Sequence, residues 1–227
     1  MLHPLPTAES LIDRTYHQLL DAIADGTLGP GQPLRQAELA DTLGVSRQPV
    51  SHALHLLKRQ GLVEDHGKKG LRVVPLDPAR VSDLYQVREA IDATAARLAA
   101  ARVAAGTADK PTIEALKAML AAGQAFTEAT PMPVLVRADA DFHRALYRLS
   151  GNQAIIDMTA PMWPHLMRSM ATVLLLADYA TQVWRDQHPA ILNAILAGDA
   201  RKAEAAAKAH AAGAARLTAE CLQPQAA

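Results

Sequence analysis

Apolar residues in the first quarter of the chain recur at helical spacing and then change period. Ile12, Tyr16, Leu19, Leu20 and Ile23 form one stripe and predict a helix over Thr7–Asp25. Gly26, Gly29, Pro30, Gly31 and Pro33 end it, and Leu34-Arg35 reads as a short extended piece. The stretch Gln36–Gln60, QAELADTLGVSRQPVSHALHLLKRQ, then carries two stripes. Leu39, Ala40 and Leu43 make the first, and Val50, Ala53, Leu54 and Leu57 the second. Gly44 between them can take the positive φ that ends one helix, and Ala40 is small enough for a second helix to cross closely. Ser46 is placed to cap that second helix, and Pro49 falls in its first turn, where a missing N–H costs nothing. Gly61 stands at a C′ position. Leu62–Asp65 and Leu71–Val74 are strand-like, joined by the turn His66–Gly70, so a β-hairpin wing follows. Two helices set by such a turn can lay the second one in a DNA major groove.

From Ala79 onward no run alternates like a strand. Helices are expected at ~80–105, 111–129, 133–150, 153–176 (broken near Pro161 and Pro164), 181–197 and 200–221. Gly106, Pro131, Pro133, Gly151-Asn152 and Gly198-Asp199 mark the breaks. Short connections of this kind indicate an antiparallel helical bundle. Pro75-Leu76-Asp77-Pro78 separates the two patterns. The expected architecture is therefore mainly α: a winged helix–turn–helix over 1–76, then an all-α bundle over 79–222. The Ala-rich faces Ala93–Ala101 and Ala203–Ala215 suit either close helix packing or an exposed, high-propensity surface.

Composition adds limits. Of 227 residues, 50% are hydrophobic and 4% aromatic, which favours helices over a β-sandwich. The single cysteine, Cys221, excludes an intrachain disulfide and suits a reducing cytoplasm. MLHPLPTAES has no secretory pattern, and the apolar run around Ala171–Ala177 is too short to span a membrane. A cytoplasmic protein is expected. Net charge is zero, but its distribution is not even. Residues 1–43 hold two arginines against six carboxylates, whereas residues 44–75 hold Arg47, Lys58, Arg59, Lys68, Lys69 and Arg72 against Glu64 and Asp65. Positive charge thus gathers on and just after the second helix of the motif, as a phosphate-facing surface requires.

The bundle sequence carries one cluster of metal-ligating residue types. Asp139 and His143 are four apart, hence on one helical face. His188, in QHPAILNAI, and His210, in AAAKAHAAGA, stand at helical positions among apolar residues. One carboxylate and three imidazoles from three helices would form an N₃O site suited to Zn, Ni, Mn or Fe. The plainer alternatives are an i,i+4 ion pair and hydrogen-bonded core histidines. Trp163, Met162, Met167 and Met170 are candidates for a pocket wall or simply for core.

Residues 10–75 resemble the winged helix–turn–helix of GntR-family bacterial transcription regulators. The pattern LxxxELAxxLGVSRxPV is carried by Leu34, Glu38-Leu39-Ala40, Leu43 to Arg47 and Pro49-Val50, followed by Ala53-Leu54, Leu57 and Gly61-Leu62-Val63. The resemblance implies that Arg47 contacts operator DNA. A second arginine usual in the family is Ser51 here, followed by His52 in place of the common Glu, so a different operator is implied. Arg47, Gln48, Ser51 and His52 are then expected to face bases, and Arg35, Lys58, Lys68 and Lys69 to hold phosphates. Residues ~80–221 resemble the FCD ligand-sensing domain of the FadR-like branch, through Val87 to Ile91, Asp139, Phe142-His143, Leu146, Ser150 to Asn152, His188, Ile191, Ala194-Ile195 and His210. That resemblance implies Asp139, His143, His188 and His210 as metal ligands beneath a pocket for a small organic acid. Arg88 is the candidate effector-binding arginine there; its alternative role is a surface ion pair with Glu89 or Asp92. Asn152 is expected to cap the following helix. The function implied is that of a homodimeric repressor or activator that reads a palindromic operator and is no enzyme. Its rivals are a catalytic metal centre in the bundle and a metal-free interaction domain.

Overall fold

In the computed structural model the chain is described over residues 10–67, 70–174, 176 and 179–223. It divides into two compact units, Met1–Pro75 and Leu76–Ala227.

The first unit opens with α1, Leu11–Ala24, whose Ser10 and Asp13 cap one another's backbone N–H groups in a capping box. Strand β1 is Pro33–Leu34, α2 is Gln36–Leu43 and α3 is Arg47–Arg59. Strands β2, Val63–Asp65, and β3, Leu71–Val73, form the wing. The extended piece near Leu34 does more than lead into α2: β1 pairs with β3, giving a three-stranded antiparallel sheet in the order β1-β3-β2. Gly44 has φ 64°, the left-handed turn expected between α2 and α3. Ser46 occupies the N-cap of α3 with extended backbone, but its side chain makes no cap hydrogen bond. The residue is exposed, so water can satisfy the first N–H groups instead. The core joins Leu19 and Ile23 of α1 to Leu34, Ala40, Val50, Ala53, Leu54, Leu57, Leu62, Val63 and Val73. These are the stripe positions of the sequence, closed around α3.

Among its described residues the second unit holds helices and no strand. It comprises α4, Pro78–Ala104; α5, Lys110–Gly123; α6, Met132–Ser150; α7, Gln153–Thr159; α8, Trp163–Leu174; α9, Tyr179–Gln182; α10, His188–Leu196; and α11, Ala200–Leu222. Pro161 lies in a 3₁₀ turn, Ala160–Met162, that breaks α7 from α8. The expected helix over 111–129 ends early, at Gly123. A Cβ there would stand 2.0 Å from the Trp184 ring, so the glycine lets that indole lie on α5. Asn152 caps α7 as expected, accepting from the N–H groups of Ala154 and Ile155. The choice left open for the alanine faces is settled by packing. Ala95, Ala96, Ala99 and Ala100 of α4 and Ala203, Ala207 and Ala211 of α11 are buried, and the two helices pack together. Among the described residues no helix is long and apolar enough to cross a membrane.

Candidate DNA-contacting face and metal centre

On α3 the buried and exposed positions separate cleanly. Val50, Ala53, Leu54 and Leu57 are buried, while Arg47, Gln48 and His52 are exposed and Ser51 is half-buried on the same outer side. Arg47 and Arg59 have no carboxylate within ion-pair distance among the described residues. Arg35 and Lys58 do. Arg35 Nη1 lies 2.7 Å from Glu38 Oε1, and that hydrogen bond and charge push its pKa further up. Lys58 Nζ lies 2.6 Å from Asp65 Oδ2, tying α3 to the wing. Arg72 is likewise paired, 2.6 Å from Glu64 on the facing strand. The two carboxylates of the basic segment are thus spent on Lys58 and Arg72, and the arginines of α3 keep their charge outward. Lys68 and Lys69 lie outside the described residues.

The bundle brings the four candidate ligands together. Asp139 and His143 project inward from α6, His188 opens α10, and His210 lies midway along α11. A π turn, Val183–Gln187, immediately precedes His188. It also buries Trp184 against Phe126 and Phe142. One donor atom from each of the four residues lies within 4.8 Å of the others, and all four residues are buried. His210 Nε2 is 3.2 Å from His143 Nε2, and His188 Nε2 is 3.4 Å from Asp139 Oδ1. Those separations are close to the about 3.3 Å edge of a tetrahedron with bonds of about 2.0–2.1 Å. His210 Nδ1 is hydrogen-bonded to Gln187 Oε1 at 2.8 Å, which turns Nε2 towards the centre and His143 Nε2. His188 is the decisive member. It is fully buried, its ring stacks on Phe142 at 4.0 Å, and among the described residues neither nitrogen has a hydrogen-bond partner. A satisfied core histidine would have one. The donor set therefore fits a divalent cation.

Electrostatics hold two of the imidazoles, His188 and His210, unprotonated. Burial, then the charges of His210, His143 and Arg88, pushes His188 well below the ordinary histidine range. Burial, His143 and Arg88 do the same to His210. Burial raises the Asp139 carboxyl, with His143 and Arg88 opposing.

Arg88 is 1% exposed, so the surface ion pair is excluded. Its partner is Asp92, at 3.2 Å, but deep in the bundle, while Glu89 pairs with Lys208. Arg88 Nη2 also reaches His143 Nε2 at 2.8 Å and Asp139 Oδ2 at 3.8 Å. Burial opposes its charge, yet Asp92 and its other neighbours outweigh that and hold it protonated. A small cavity of ≈ 10 Å³ adjoins the cluster, lined by Arg88, Asp139, His210, Met170, Tyr85 and Tyr179 among others. It has room for about one water.

Comparison with known proteins decides the family. The family model of gntR bacterial regulatory proteins matches residues 11–73, and that of the FCD domain matches residues 83–213. The chain belongs to the GntR family. An HTH-type transcriptional regulator from an unstable DNA locus of Streptomyces ambofaciens is 31% identical over 195 residues, 86% of this chain and 79% of that one. A protein named as the probable D-xylose utilization operon transcriptional repressor of Paenarthrobacter nicotinovorans is 30% identical over 193 residues, 84% of this chain and 80% of that one. The GntR regulator structure from Rhodococcus sp. RHA1 superposes with TM-score 0.76 at 23% identity, over 93% of this chain and 99% of that one. Escherichia coli McbR/YncC superposes with TM-score 0.74 at 18% identity, over 91% and 97%. At those identities the two structures speak for the fold. The protein is thus a DNA-binding transcriptional regulator with an FCD effector domain, and it is no enzyme.

Within the FCD domain three functional neighbours escape a reading of the ligand spacing. Asp92 Oδ2 lies 3.4 Å from His143 Nδ1, an ion-pair distance outside hydrogen-bond geometry. Tyr147 donates its hydroxyl to Asp92 Oδ1 at 2.5 Å. Gln187 orients His210. Burial would raise the Asp92 carboxyl, but His143, Arg88 and the Tyr147 hydroxyl together hold it well below the usual range. A signal was present for Tyr147: it continues the i, i+4 series begun by Asp139 and His143.

Proposed function

We propose that this GntR regulator is a cytoplasmic homodimer that represses transcription from a palindromic operator and responds to a small organic acid sensed beside a divalent metal. The observation that carries the metal centre is His188, a fully buried imidazole without a hydrogen bond among the described residues, which brings one ring nitrogen within reach of three other donors. Asp139, His143, His188 and His210 would hold Zn, Ni, Mn or Fe, which would supply a Lewis-acid anchor for an anionic group. Arg88 lines the adjoining cavity and offers the guanidinium that pairs with a carboxylate. That cavity admits one water, so an acid enters only with displacement of the α8 and α9 residues that wall it, Leu174 and Tyr179 included. Such a displacement is what a sensing domain requires, because an effector shifts an equilibrium only by binding one conformation better. The chain runs from β3 through Val74–Asp77 directly into α4, which carries both Arg88 and Asp92. Repression is favoured by the xylose-operon relative, whose name describes a repressor.

At the DNA, Arg47 and Gln48, with Ser51 and His52, are proposed to meet base edges, and Arg59 joins the phosphate contacts. Arg35, Lys58, Lys68 and Lys69 are proposed phosphate contacts too, the first two by exchanging Glu38 and Asp65 for phosphate. The test is a gel shift of the protein on its own promoter region, with and without metal and a panel of organic acids. Sequence-specific binding weakened by one acid, only in metal-loaded protein, is expected. Binding that ignores sequence and every acid would contradict the regulator described here.

A further inference from the structure

A larger cavity, ≈ 680 Å³, lies along the C-terminal half of α6 and shares no lining residue with the inner cavity. Its volume is in the range of about 300–1,000 Å³ typical of small-molecule sites. Its walls include Arg144, Tyr147, Arg148, Ile156 and Trp163, with Asp109 at the edge. The charges are not balanced. Arg148 is exposed and has no carboxylate within ion-pair distance among the described residues. Arg144 lies over the Trp163 ring at 4.9 Å and touches the exposed Asp141 at 3.2 Å, a pair that water screens. Asp109 Oδ2 already accepts from the N–H and the hydroxyl of Thr112 as the cap of α5. The cavity therefore presents two guanidinium groups beside the Trp163, Tyr147 and Ile156 side chains. That combination selects an anion with a flat apolar body.

One wall of this cavity is also joined to the cluster. Tyr147 is 2% exposed, its ring faces Trp163 at 5.6 Å, and its hydroxyl bonds to Asp92, which stands against His143 Nδ1 and Arg88 Nε. Trp163 itself lies 6.5 Å from the His143 ring. We infer that the outer cavity is a second ligand site, for a small aromatic carboxylate, and that Tyr147 transmits its occupancy to His143 through Asp92. The site stands on the cavity and its arginines alone; the transmission rests on the metal reading above.

The experiment uses full-length protein and benzoate as the probe, with neutral benzamide as control, followed by calorimetry. Benzoate binds, benzamide binds about tenfold more weakly or not at all, and Arg148→Glu weakens benzoate by about tenfold while leaving the melting temperature unchanged. Absence of benzoate binding, equal binding of benzamide, or binding indifferent to both Arg148→Glu and Arg144→Gln overturns the site. For the transmission, Co²⁺-loaded protein is titrated with benzoate in the visible region. The cobalt bands shift in the wild type and stay fixed in Tyr147→Phe when each protein is saturated with benzoate, as its own calorimetric isotherm defines saturation. Cobalt bands unmoved in the wild type overturn the transmission. Failure to bind Co²⁺ at all refutes the metal centre and leaves the benzoate isotherm to decide the site.

Discussion

The outer face of α3 and the interior of the bundle use the same kinds of side chain for opposite ends. On α3, Arg47, Gln48, His52 and Arg59 stand in water, where a charge costs the fold nothing and contributes almost nothing to it. In the bundle, Arg88, Asp92, Asp139, His143, His188 and His210 are all buried, where each charge or lone pair demands a partner. Substitutions on that surface are therefore expected to alter DNA contacts without touching stability. The interior cannot change one member without disturbing the rest. On the proposed function, folding and sensing would be coupled in the bundle, whereas folding and DNA contact would be separable in the DNA-binding unit.

That contrast can be broken or sharpened by substitution. The largest effect is expected for Asp92→Ala, which strands Arg88 without its buried carboxylate and should cost about 3–5 kcal/mol in chemical denaturation. A loss near zero would mean the bundle tolerates an unpaired guanidinium. Arg47→Ala should leave the denaturation curve unchanged yet weaken operator binding by about 1–3 kcal/mol in a titrated gel shift. A matching loss of stability would erase the distinction between the two regions. Metal-stripped protein should lose stability as pH falls below the ordinary histidine pKa of about 6.5, by up to about 1.4 kcal/mol per pH unit for each imidazole. The sign follows from burial: His188 and His210 resist protonation when folded, so the unfolded chain takes up protons first. Melting curves from pH 7 to 5 measure this, and a flat profile would argue against their burial as neutral groups. The smallest effect belongs to Lys58→Ala. Its pair with Asp65 is largely solvated, so thermal unfolding should register no more than about 0.2–1 kcal/mol, diminishing with salt.

How much was legible beforehand divides along the same line. The stripes at Leu39, Ala40 and Leu43 and at Val50, Ala53, Leu54 and Leu57 state the helix–turn–helix outright, because a surface helix with one buried face has a period. The gathering of Asp139, His143, His188 and His210 followed from residue type, helical position and family resemblance. What the sequence did not disclose was pairing at long separation. The β1–β3 ladder joins Pro33 to Arg72 through backbone groups that carry no side-chain signature. Tyr147 and Asp92 are 55 positions apart, and only the packing of α4 on α6 makes them partners. Ser46 shows the reverse: the residue type was right for a cap, and exposure made the bond unnecessary.

On the proposed function, His188 is buried for the sake of a metal. Full-length protein, purified without a histidine tag and dialysed against metal-free buffer, should retain a stoichiometric divalent ion by inductively coupled plasma mass spectrometry. The His188→Ala protein, still folded by circular dichroism, should lose it. Wild-type protein that carries no ion, and that takes up none when Zn²⁺, Ni²⁺, Mn²⁺ and Fe²⁺ are added back, would show that Asp139, His143, His188 and His210 hold no metal.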